Sequence, residues 1–322
     1  MPLVSVIMPA YDGERWIAAA LSSVLEQSLR DLEVIVADDG SRDRTSAIVA
    51  DMAATDARVR LLRQSNGGVS RARNLALAAA SGEFLALLDC DDLWDPPFLE
   101  EQIAIFRARP DVDIVTGNAR ELGGWRDGQP SCPYPDARRE PDLSAILADE
   151  GAVFIMTVFK RTVYDRIGGF DETLRTNEDY EYWLRAALAG FRFARNDRPL
   201  GQYRRSETSL SASEVTMLRG ILRVFQKVRP SILDAPRDLA LLDRQVDHFT
   251  TELMAAEART ALERGEYRLA AARLAALHRR RPKLEIAVAR ALVSVAPKLL
   301  AKLYRARRAR LIARHVRPRV AA

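Results

Sequence analysis

The segment Leu87-Leu88-Asp89-Cys90-Asp91-Asp92 drives an apolar run straight into three acids. In an extended backbone, residues two apart point the same way, so Asp89 and Asp91 are expected on one face while Cys90 turns back toward the core. Two oxygen ligands on one face suit Mg2+ or Mn2+, hard cations that take few protein carboxylates and leave positions open for substrate phosphates. The alternative is a solvated acidic loop capping a helix that begins near Asp95-Pro96-Pro97. Cys90 reads as buried packing and not as a thiol ligand, because a hard cation prefers oxygen and no second cysteine lies near it.

The elements that must position these acids are legible upstream. Val4-Ser5-Val6-Ile7-Met8 reads as a buried strand stopped by Pro9. From Trp16, the residues Ile17, Ala20, Leu21, Val24 and Leu25 fall at helical spacing, and Glu33-Val34-Ile35-Val36-Ala37 returns as a second strand. Asp38-Asp39-Gly40-Ser41 follows at its carboxyl end. A helix from near Asp43, a strand at Val59 to Leu62, a helix from Val69 to Ala80 and a strand from Phe84 to Leu88 complete a β-α-β-α series. Right-handed crossovers make such a series an α/β fold with a mostly parallel sheet and helices on both faces, and ligands then sit at the carboxyl ends of the strands. The polar clusters at 9–13, 38–41 and 89–92 all fall at that edge.

Several motifs occur in a fixed order: Ser5-Val6-Ile7-Met8-Pro9-Ala10-Tyr11, Asp38-Asp39-Gly40-Ser41-x-Asp43-x-Thr45, Asn66-x-Gly68-x-x-x-Ala72-Arg73-Asn74, Ser81-Gly82-Glu83 and Leu88-Asp89-x-Asp91-Asp92. They continue in Gly168-Gly169-Phe170-Asp171-Glu172 and Glu178-Asp179-Tyr180-Glu181-Tyr182-Trp183-Leu184-Arg185. Their conjunction resembles the family 2 glycosyltransferases of the GT-A fold, over roughly residues 1–212. The resemblance implies a Rossmann-like sheet and transfer of a sugar from a nucleotide-diphosphate donor, with a UDP-sugar as default, to an acceptor hydroxyl with inversion. It implies that Asp38 accepts a hydrogen bond from the base, which suits an acceptor-only carboxylate. Pro9, Ala10 and Tyr11 are expected to line the nucleoside, and Asp39 to brace the following turn at Gly40. Arg73 is expected at the nucleotide, the alternative being a surface ion pair on a helix. Asp91 is the expected direct metal ligand, with Asp89 facing ribose or metal-bound water and Asp92 shaping the site.

By the family pattern, Asp179 is the catalytic base and Glu178 its nearer competitor. Thr176 or Asn177 is expected to cap a helix that carries Asp179 in its first turn, where the dipole favours an ionised carboxylate. The alternative is that both acids only stabilise the helix start. Many relatives carry a histidine after the Tyr-Arg that follows; Tyr203-Arg204-Arg205-Ser206-Glu207-Thr208-Ser209 has none, so Arg204 or Arg205 is the candidate for the diphosphate. The Gln-x-x-Arg-Trp signature of processive synthases is also missing, which argues for adding one sugar or few. Phe170 is expected in the core in preference to a sugar platform. Residues 120–141, interrupted by Gly123-Gly124, Pro130, Pro133 and Pro135, read as an irregular flap over donor or acceptor.

Composition bounds the rest. A chain of 322 residues with 48% hydrophobic content allows one large domain and an appendage. The division expected is 1–212 catalytic, with 1–118 the nucleotide-sugar half and 119–212 the acceptor half, and 213–322 helical. Only Cys90 and Cys132 are present, no membrane-length apolar stretch occurs, and the first strand leaves no room for a signal peptide, so the reading is cytoplasmic. Net charge is +5, but residues 278–322 carry +13 and the remainder −8. Neither stacking platforms nor a nucleic-acid module accompanies the arginines, so no nucleic-acid partner is expected. Leu239, Leu242, Val246, Phe249, Leu253 and Ala256 recur at helical spacing up to Gly265, and Leu269, Leu274 and Leu277 continue on a second helix, a hairpin that packs on the catalytic domain or on another copy as a homo-oligomer. Beyond Pro282, Val288, Leu292, Leu299, Leu300 and Leu303 mix with cations, and Pro297 restarts the helix. That basic tail is a candidate for peripheral contact with the inner face of the membrane and a lipid-linked or glycan acceptor. The competing function class is an inactive donor-binding homologue serving as scaffold through its helical tail.

Overall fold

The computed structural model describes residues 1–124, 126–132, 140–205 and 213–316, with only the backbone from 307 onward. In chain order the elements are β1 (Val4–Ala10), α1 (Ile17–Leu25), β2 (Leu32–Asp38), α2 (Thr45–Thr55), β3 (Val59–Arg63), α3 (Val69–Ala79), β4 (Phe84–Leu87), β5 (Leu93–Trp94), α4 (Phe98–Ala108) and β6 (Ile114–Leu122). They continue as α5 (Leu143–Ala148), β7 (Thr157–Lys160), α6 (Arg161–Ile167), α7 (Glu178–Leu188), β8 (Phe193–Arg204), α8 (Glu214–Val228), α9 (Pro236–Glu263), α10 (Tyr267–Arg280), α11 (Leu284–Val295) and α12 (Pro297–Val316).

The strands form an eight-stranded sheet in the order β3-β2-β1-β4-β7-β6-β8-β5. The first four in that order are parallel, β7 runs against both β4 and β6, β6 and β8 are parallel, and β5 closes the edge antiparallel to β8. Ala10 pairs with Asp38 across β1 and β2, and Ile7 with Leu87 across β1 and β4. The loops after these three strands therefore emerge at one edge, as the strand-helix alternation predicts.

Side-chain alternation on β1 divides the core in two. Val4, Val6 and Met8 face a layer with Ile17, Leu21 and Val24 of α1 and Leu99 and Ile103 of α4. Ile7 faces the opposite layer, shared with Ala72 and Ala76 of α3, Trp183 and Leu184 of α7, and Val224 and Phe225 of α8. Burial on both faces explains why the strand reads as a continuous apolar run. The second layer extends through Leu242, Phe249 and Ala256 of α9. The expected boundary near 212 lies outside the described residues, and α8 with the first half of α9 shares the core of the sheet. Only from Ala258 does a separate small core begin, with Leu262, Ala270, Leu274 and Val293. The hairpin of α9 and α10 turns at Gly265, whose φ of +77° suits glycine.

One expectation fails locally. Arg120 to Leu122 are not irregular but continue β6, paired with Gln202 to Arg204, and Arg120 bridges Pro130. Gly123 and Gly124 make the turn only after that; position 125 and residues 133–139 of the expected flap lie outside the described residues. The reason for the miss is that β-branched and aromatic residues are sparse here, and parallel pairing with β8 supplies what local propensity does not.

The edge of the sheet opposite the site is fastened by Glu33 of β2. Ser5 Oγ of β1 and Ser81 Oγ, just before β4, each donate to its Oε1 at 2.7 Å, Ser81 N donates at 2.9 Å, and Arg60 of β3 donates to Oε2 at 2.9 Å. Four successive elements of the sheet thus meet at one carboxylate. Gly82 is required beside it, since a Cβ there would stand 2.6 Å from Ser5 N. Burial opposes ionisation of Glu33, but the hydrogen bonds from Ser5, Ser81 and Arg60 outweigh it and hold the carboxyl at about 2, against an ordinary 4.5. A depressed value in the folded state means the stabilisation is full above the ordinary value and is lost as pH falls toward about 2. Glu33→Gln should lower stability at neutral pH by about 2 kcal/mol. Urea unfolding of both proteins should show that difference shrinking across the acid window.

Candidate active site

Where β1 and β2 end side by side, two loops clasp each other. Asp12 N donates to Ser41 Oγ at 3.0 Å and Arg42 N returns to Asp12 Oδ1 at 2.7 Å. Gly13 N donates to Thr45 Oγ1 at 2.8 Å, Glu14 N to Asp43 Oδ2 at 2.9 Å, and Arg44 N returns to Glu14 Oε2 at 2.9 Å. These partners explain Asp43 and Thr45 in the motif, for which sequence reasoning offered no task; the signal was an acid and a hydroxyl just before a helix. Asp38, 3% exposed, sits at the base of the clasp, with Oδ1 accepting from Ser41 N at 3.0 Å and Ser41 Oγ at 2.5 Å. No described residue donates to its Oδ2. Pro9 and Ala10 are buried at the floor, and Tyr11 is 44% exposed beside them.

Asp39 acts elsewhere than expected. It does not brace the turn at Gly40; its oxygens accept from Gln64 Nε2 at 2.7 Å and from Gly67 N and Gly68 N at 2.8 Å each. It therefore fixes the loop that launches α3. Gly40, at φ +76°, manages its own turn, and a Cβ there would meet Asn66 N at 2.9 Å.

The Asp89 to Asp92 segment is a turn and not a strand end, because β4 stops at Leu87 and Asp92 N donates to Asp89 O at 3.1 Å. The two-residue alternation expected of Asp89 and Asp91 therefore does not apply. Asp89 is paired with Arg73 at 2.7 Å. Asp92 is 1% exposed; its Oδ1 accepts from Arg204 N at 2.8 Å, while Oδ2 is buried without a hydrogen bond. Burial, then the charges of Asp91 and Asp89, keep Asp92 well above the usual carboxylate range. Asp91 is half-buried and forms no ion pair among the described residues; burial and Asp89 push it up to about 6. Among the described residues no cluster of three or more acidic, histidine or cysteine side chains surrounds a single point. The turn can thus supply at most two carboxylates to one cation. An excess of negative charge with an orphaned oxygen fits a hard cation that draws its remaining ligands from water and phosphate. Cys90 packs against Gly13, where a Cβ would stand 3.0 Å from its Sγ, and burial pushes its thiol above the ordinary range.

The two candidate arginines differ. Arg205 is committed: its guanidinium lies 3.4 Å from both oxygens of Glu121, which is 4% exposed, and 4.8 Å from the Tyr203 ring. Arg204 stacks at 3.8 Å on the ring of Trp16, with Arg15 at 4.2 Å on the same ring, and donates Nε to Asp91 O at 2.9 Å. Its terminal nitrogens form no ion pair among the described residues. Trp16 is a site residue that the sequence reading used only as a helix marker.

On the other side stands α7. Asn177 occupies the N-cap position in left-handed backbone, φ 60° and ψ 27°, but neither it nor Thr176 caps through its side chain. The expected cap is wrong because a left-handed residue turns its side chain away from the amide groups of the first turn. Asp179 lies in that first turn, half-buried, accepting from Tyr180 N at 2.8 Å. Burial and Glu178 push its carboxyl up to about 6, with Arg73 opposing. Glu178 is itself bound to Arg73 Nη1 at 2.5 Å. Arg73 is 2% exposed, so the surface-pair alternative is excluded; burial works against its charge, and Asp89, Glu178 and Asp179 hold the proton on it more firmly than usual. The turn before α7 is tied to α3 by Asn74, which donates to Phe170 O at 2.9 Å and accepts from Phe170 N at 2.7 Å. Phe170 is 3% exposed and stacks on Tyr182 at 4.5 Å, the core position expected of it.

The chain is similar to known proteins in sequence and in fold. A model of glycosyl transferase family 2 matches residues 5–168, half of the chain. The Escherichia coli protein UDP-Glc:alpha-D-GlcNAc-diphosphoundecaprenol beta-1,3-glucosyltransferase WfgD is 32% identical over 219 residues, 67% of this chain and 83% of that one. The chain belongs to glycosyl transferase family 2. The Bacillus subtilis (strain 168) glycosyltransferase EpsJ is 33% identical over 221 residues, 66% of this chain and 63% of that one. A glycosyltransferase of Rickettsia prowazekii (strain Madrid E) matches over 58% of its length, so the chain spans about three fifths of such family 2 relatives. S. aureus TarS 1-349 in complex with UDP-GlcNAc superposes with a TM-score of 0.62 at 20% identity, over 94% of this chain and 89% of that one. Mannosyltransferase PcManGT from Pyrobaculum calidifontis, in complex with GDP-Man and Mn2+, gives 0.60 at 24% identity, over 94% and 86%. The fold is GT-A.

A fully buried arginine between two acids makes a sharp test. Arg73→Met should cost about 3–5 kcal/mol, because it strands two carboxylates in a poorly solvated place. Urea unfolding should show the loss, and adding Glu178→Gln to that variant should recover part of it by removing one stranded charge.

Proposed function

We propose that this family 2 protein is an inverting glycosyltransferase that moves a sugar from a nucleotide-diphosphate donor, a UDP-sugar by default, to an acceptor hydroxyl in surface polysaccharide or glycolipid assembly. The observation that carries the reading is Asp179, half-buried in the first turn of α7 beside Glu178, whose ion pair with Arg73 joins the start of that helix to the Asp89 turn. A base must stand across the reacting carbon from the leaving group, and the joining of the Asp89 turn to the start of α7 by one arginine supports a site built from both. The pathway rests on the relatives' names, in particular a WfgD substrate linked to diphosphoundecaprenol and the UDP-GlcNAc complex of TarS.

In this reading Asp38 Oδ2 accepts from the N–H edge of the base, above the floor of Pro9, Ala10 and Tyr11. Asp39 sets the loop under the nucleotide and does not touch it. Asp91, with Asp89 as second acid, would hold a divalent cation of the kind bound by PcManGT. Such a cation supplies charge neutralisation on the departing diphosphate. Arg204, aligned by the Trp16 ring, offers its planar fork to the diphosphate oxygens in place of the missing histidine. Arg205 instead secures Glu121. The acceptor oxygen attacks the anomeric carbon as its proton passes to Asp179; the bond from that carbon to the diphosphate oxygen breaks and its electron pair leaves with the nucleotide. Glu178, bound to Arg73, positions and does not take the proton.

No described helix is long and apolar enough to cross a membrane. Leu284 and Val295 are 81% and 85% exposed, and Leu299 and Leu303 are about half exposed among Lys298 and Lys302. We propose that this surface meets anionic lipid, placing the site near a lipid-linked acceptor. Vesicles containing phosphatidylglycerol should float the full chain at low salt but not at high salt, and a chain ending at Arg281 should stay at the bottom in both; equal flotation sinks the idea.

An ionised Asp179 is needed to accept the proton, so a carboxyl at about 6 places full activity above that pH. Transfer at saturating donor should fall about tenfold per pH unit below it. Asp179→Asn should lower kcat by about 10²-fold or more while leaving the UDP Kd within about twofold. Transfer that survives this substitution undiminished refutes the assignment.

A further inference from the structure

Gly220 lies inside the fifteen-residue helix α8, where glycine is the least favourable residue apart from proline. It is buried, and the reason for its presence is contact with the turn into α7. A Cβ at this position would stand 2.1 Å from Asn177 Oδ1, 3.2 Å from Asn177 Cγ and 2.4 Å from Thr176 Oγ1. Asn177 is one of two non-glycine residues with positive φ among the described residues, and its Oδ1 is buried without a hydrogen bond. The next two residues are Glu178 and Asp179.

Helix α8 has no freedom to retreat. It is sunk in the core through Ile221, Val224 and Phe225, and Phe225 meets the ring of Phe249 of α9 at 5.7 Å and, edge-on at 6.0 Å, that of Tyr180, the residue after Asp179. Lys227 near its end holds Asp171 and reaches Thr173 Oγ1 at 2.9 Å, fastening the helix to the loop before α7. An atom added at 220 must therefore be accommodated at Thr176 and Asn177, first by their side-chain ends and, because Asn177 Cγ also stands only 3.2 Å away, by the turn that carries them.

We infer that Gly220 is a positioning residue for transfer: its missing side chain sets the height at which α8 seats the turn that presents Asp179. The inference rests on the reading of Asp179 as base. It assigns a functional task to a helix beyond the stretch matched by the family model.

The test is Gly220→Ala, which adds one methyl group and raises helix propensity, so that a purely local effect would leave the protein unchanged or more stable. Expected are a kcat at least tenfold lower, a Kd for UDP within twofold of wild type, and an acid limb of the pH profile displaced from the wild-type position. Adding Asn177→Gly keeps the left-handed backbone and removes Oδ1, and Thr176 Oγ1 can swing aside by rotamer change, so the double variant should recover most of the lost kcat. A Gly220→Ala protein with wild-type kcat and pH profile overturns the proposal. So does a double variant that folds yet recovers nothing; should Gly220→Ala alone fail to fold, the double variant must both fold and turn over. Asp179→Asn measured alongside separates the two readings: if it remains active the base is wrong, and if it is inactive beside a fully active Gly220→Ala only the positioning role falls.

Discussion

The guanidinium of Arg73 is the joint on which the site depends. A cation buried to 2% exposure is costly to desolvate, and it is held there by Asp89 at 2.7 Å and Glu178 at 2.5 Å, with the Phe170 ring 5.4 Å away. The three partners come from α3, from the turn after β4 and from the start of α7. One charge network therefore registers the turn after β4 against the start of α7, which carries the proposed base. The placement of Arg73 in turn depends on Asp39, which grips Gly67 N and Gly68 N where α3 begins. A buried motif acid thus fixes the start of the helix that carries Arg73.

Around that one cation the negative charge is not balanced. Asp91, Asp92 and Asp179 are all raised by burial first and by neighbouring carboxylates second. Such acids cost stability in the folded protein and are retained where chemistry uses them. The contrast with Glu33 is instructive. At the opposite edge of the same sheet burial also works against the charge of Glu33, yet four hydrogen bonds draw its value down to about 2. Satisfaction of the carboxylate, and not burial alone, separates the structural end of the sheet from the reactive end.

The first half of the fold was legible because β1, β2 and β4 are buried on both faces and α1 keeps an apolar period, so local pattern and tertiary position agree. Asp89 and Asp91 are legible as candidates because they end such a segment, whereas Asp38 and Asp179 are marked by the family motifs. Their partners are not legible. Asp39 was read toward the adjacent Gly40 turn, whereas its donors lie 25 to 29 residues away. The strand alternation expected of Asp89 and Asp91 fails because β4 ends at Leu87, before either acid, and the left-handed backbone of Asn177 defeats the cap expected there. The second half of the sheet offered little to read. β7 is four residues long, β5 is two, and β8 mixes Arg195, Asn196, Asp197 and Arg198 into a strand that only pairing with β6 holds extended.

Helix α8 shows the same limit from the other side. Its apolar period is clear once the helix is known, with Leu218, Ile221, Val224, Phe225 and Val228 buried. A boundary drawn near 212 nevertheless treats it as appendage, since sequence motifs end before it. The core says otherwise: α8 and the first half of α9 fill the layer that also holds Ile7, Ala72 and Trp183, and an independent cluster begins only at Ala258. Motifs mark where chemistry touches ligand, whereas the limits of a domain follow from which apolar faces need each other. The helix that seats the turn before Asp179 is therefore part of the catalytic body although it carries no motif, and the region free to serve another purpose starts some forty residues later.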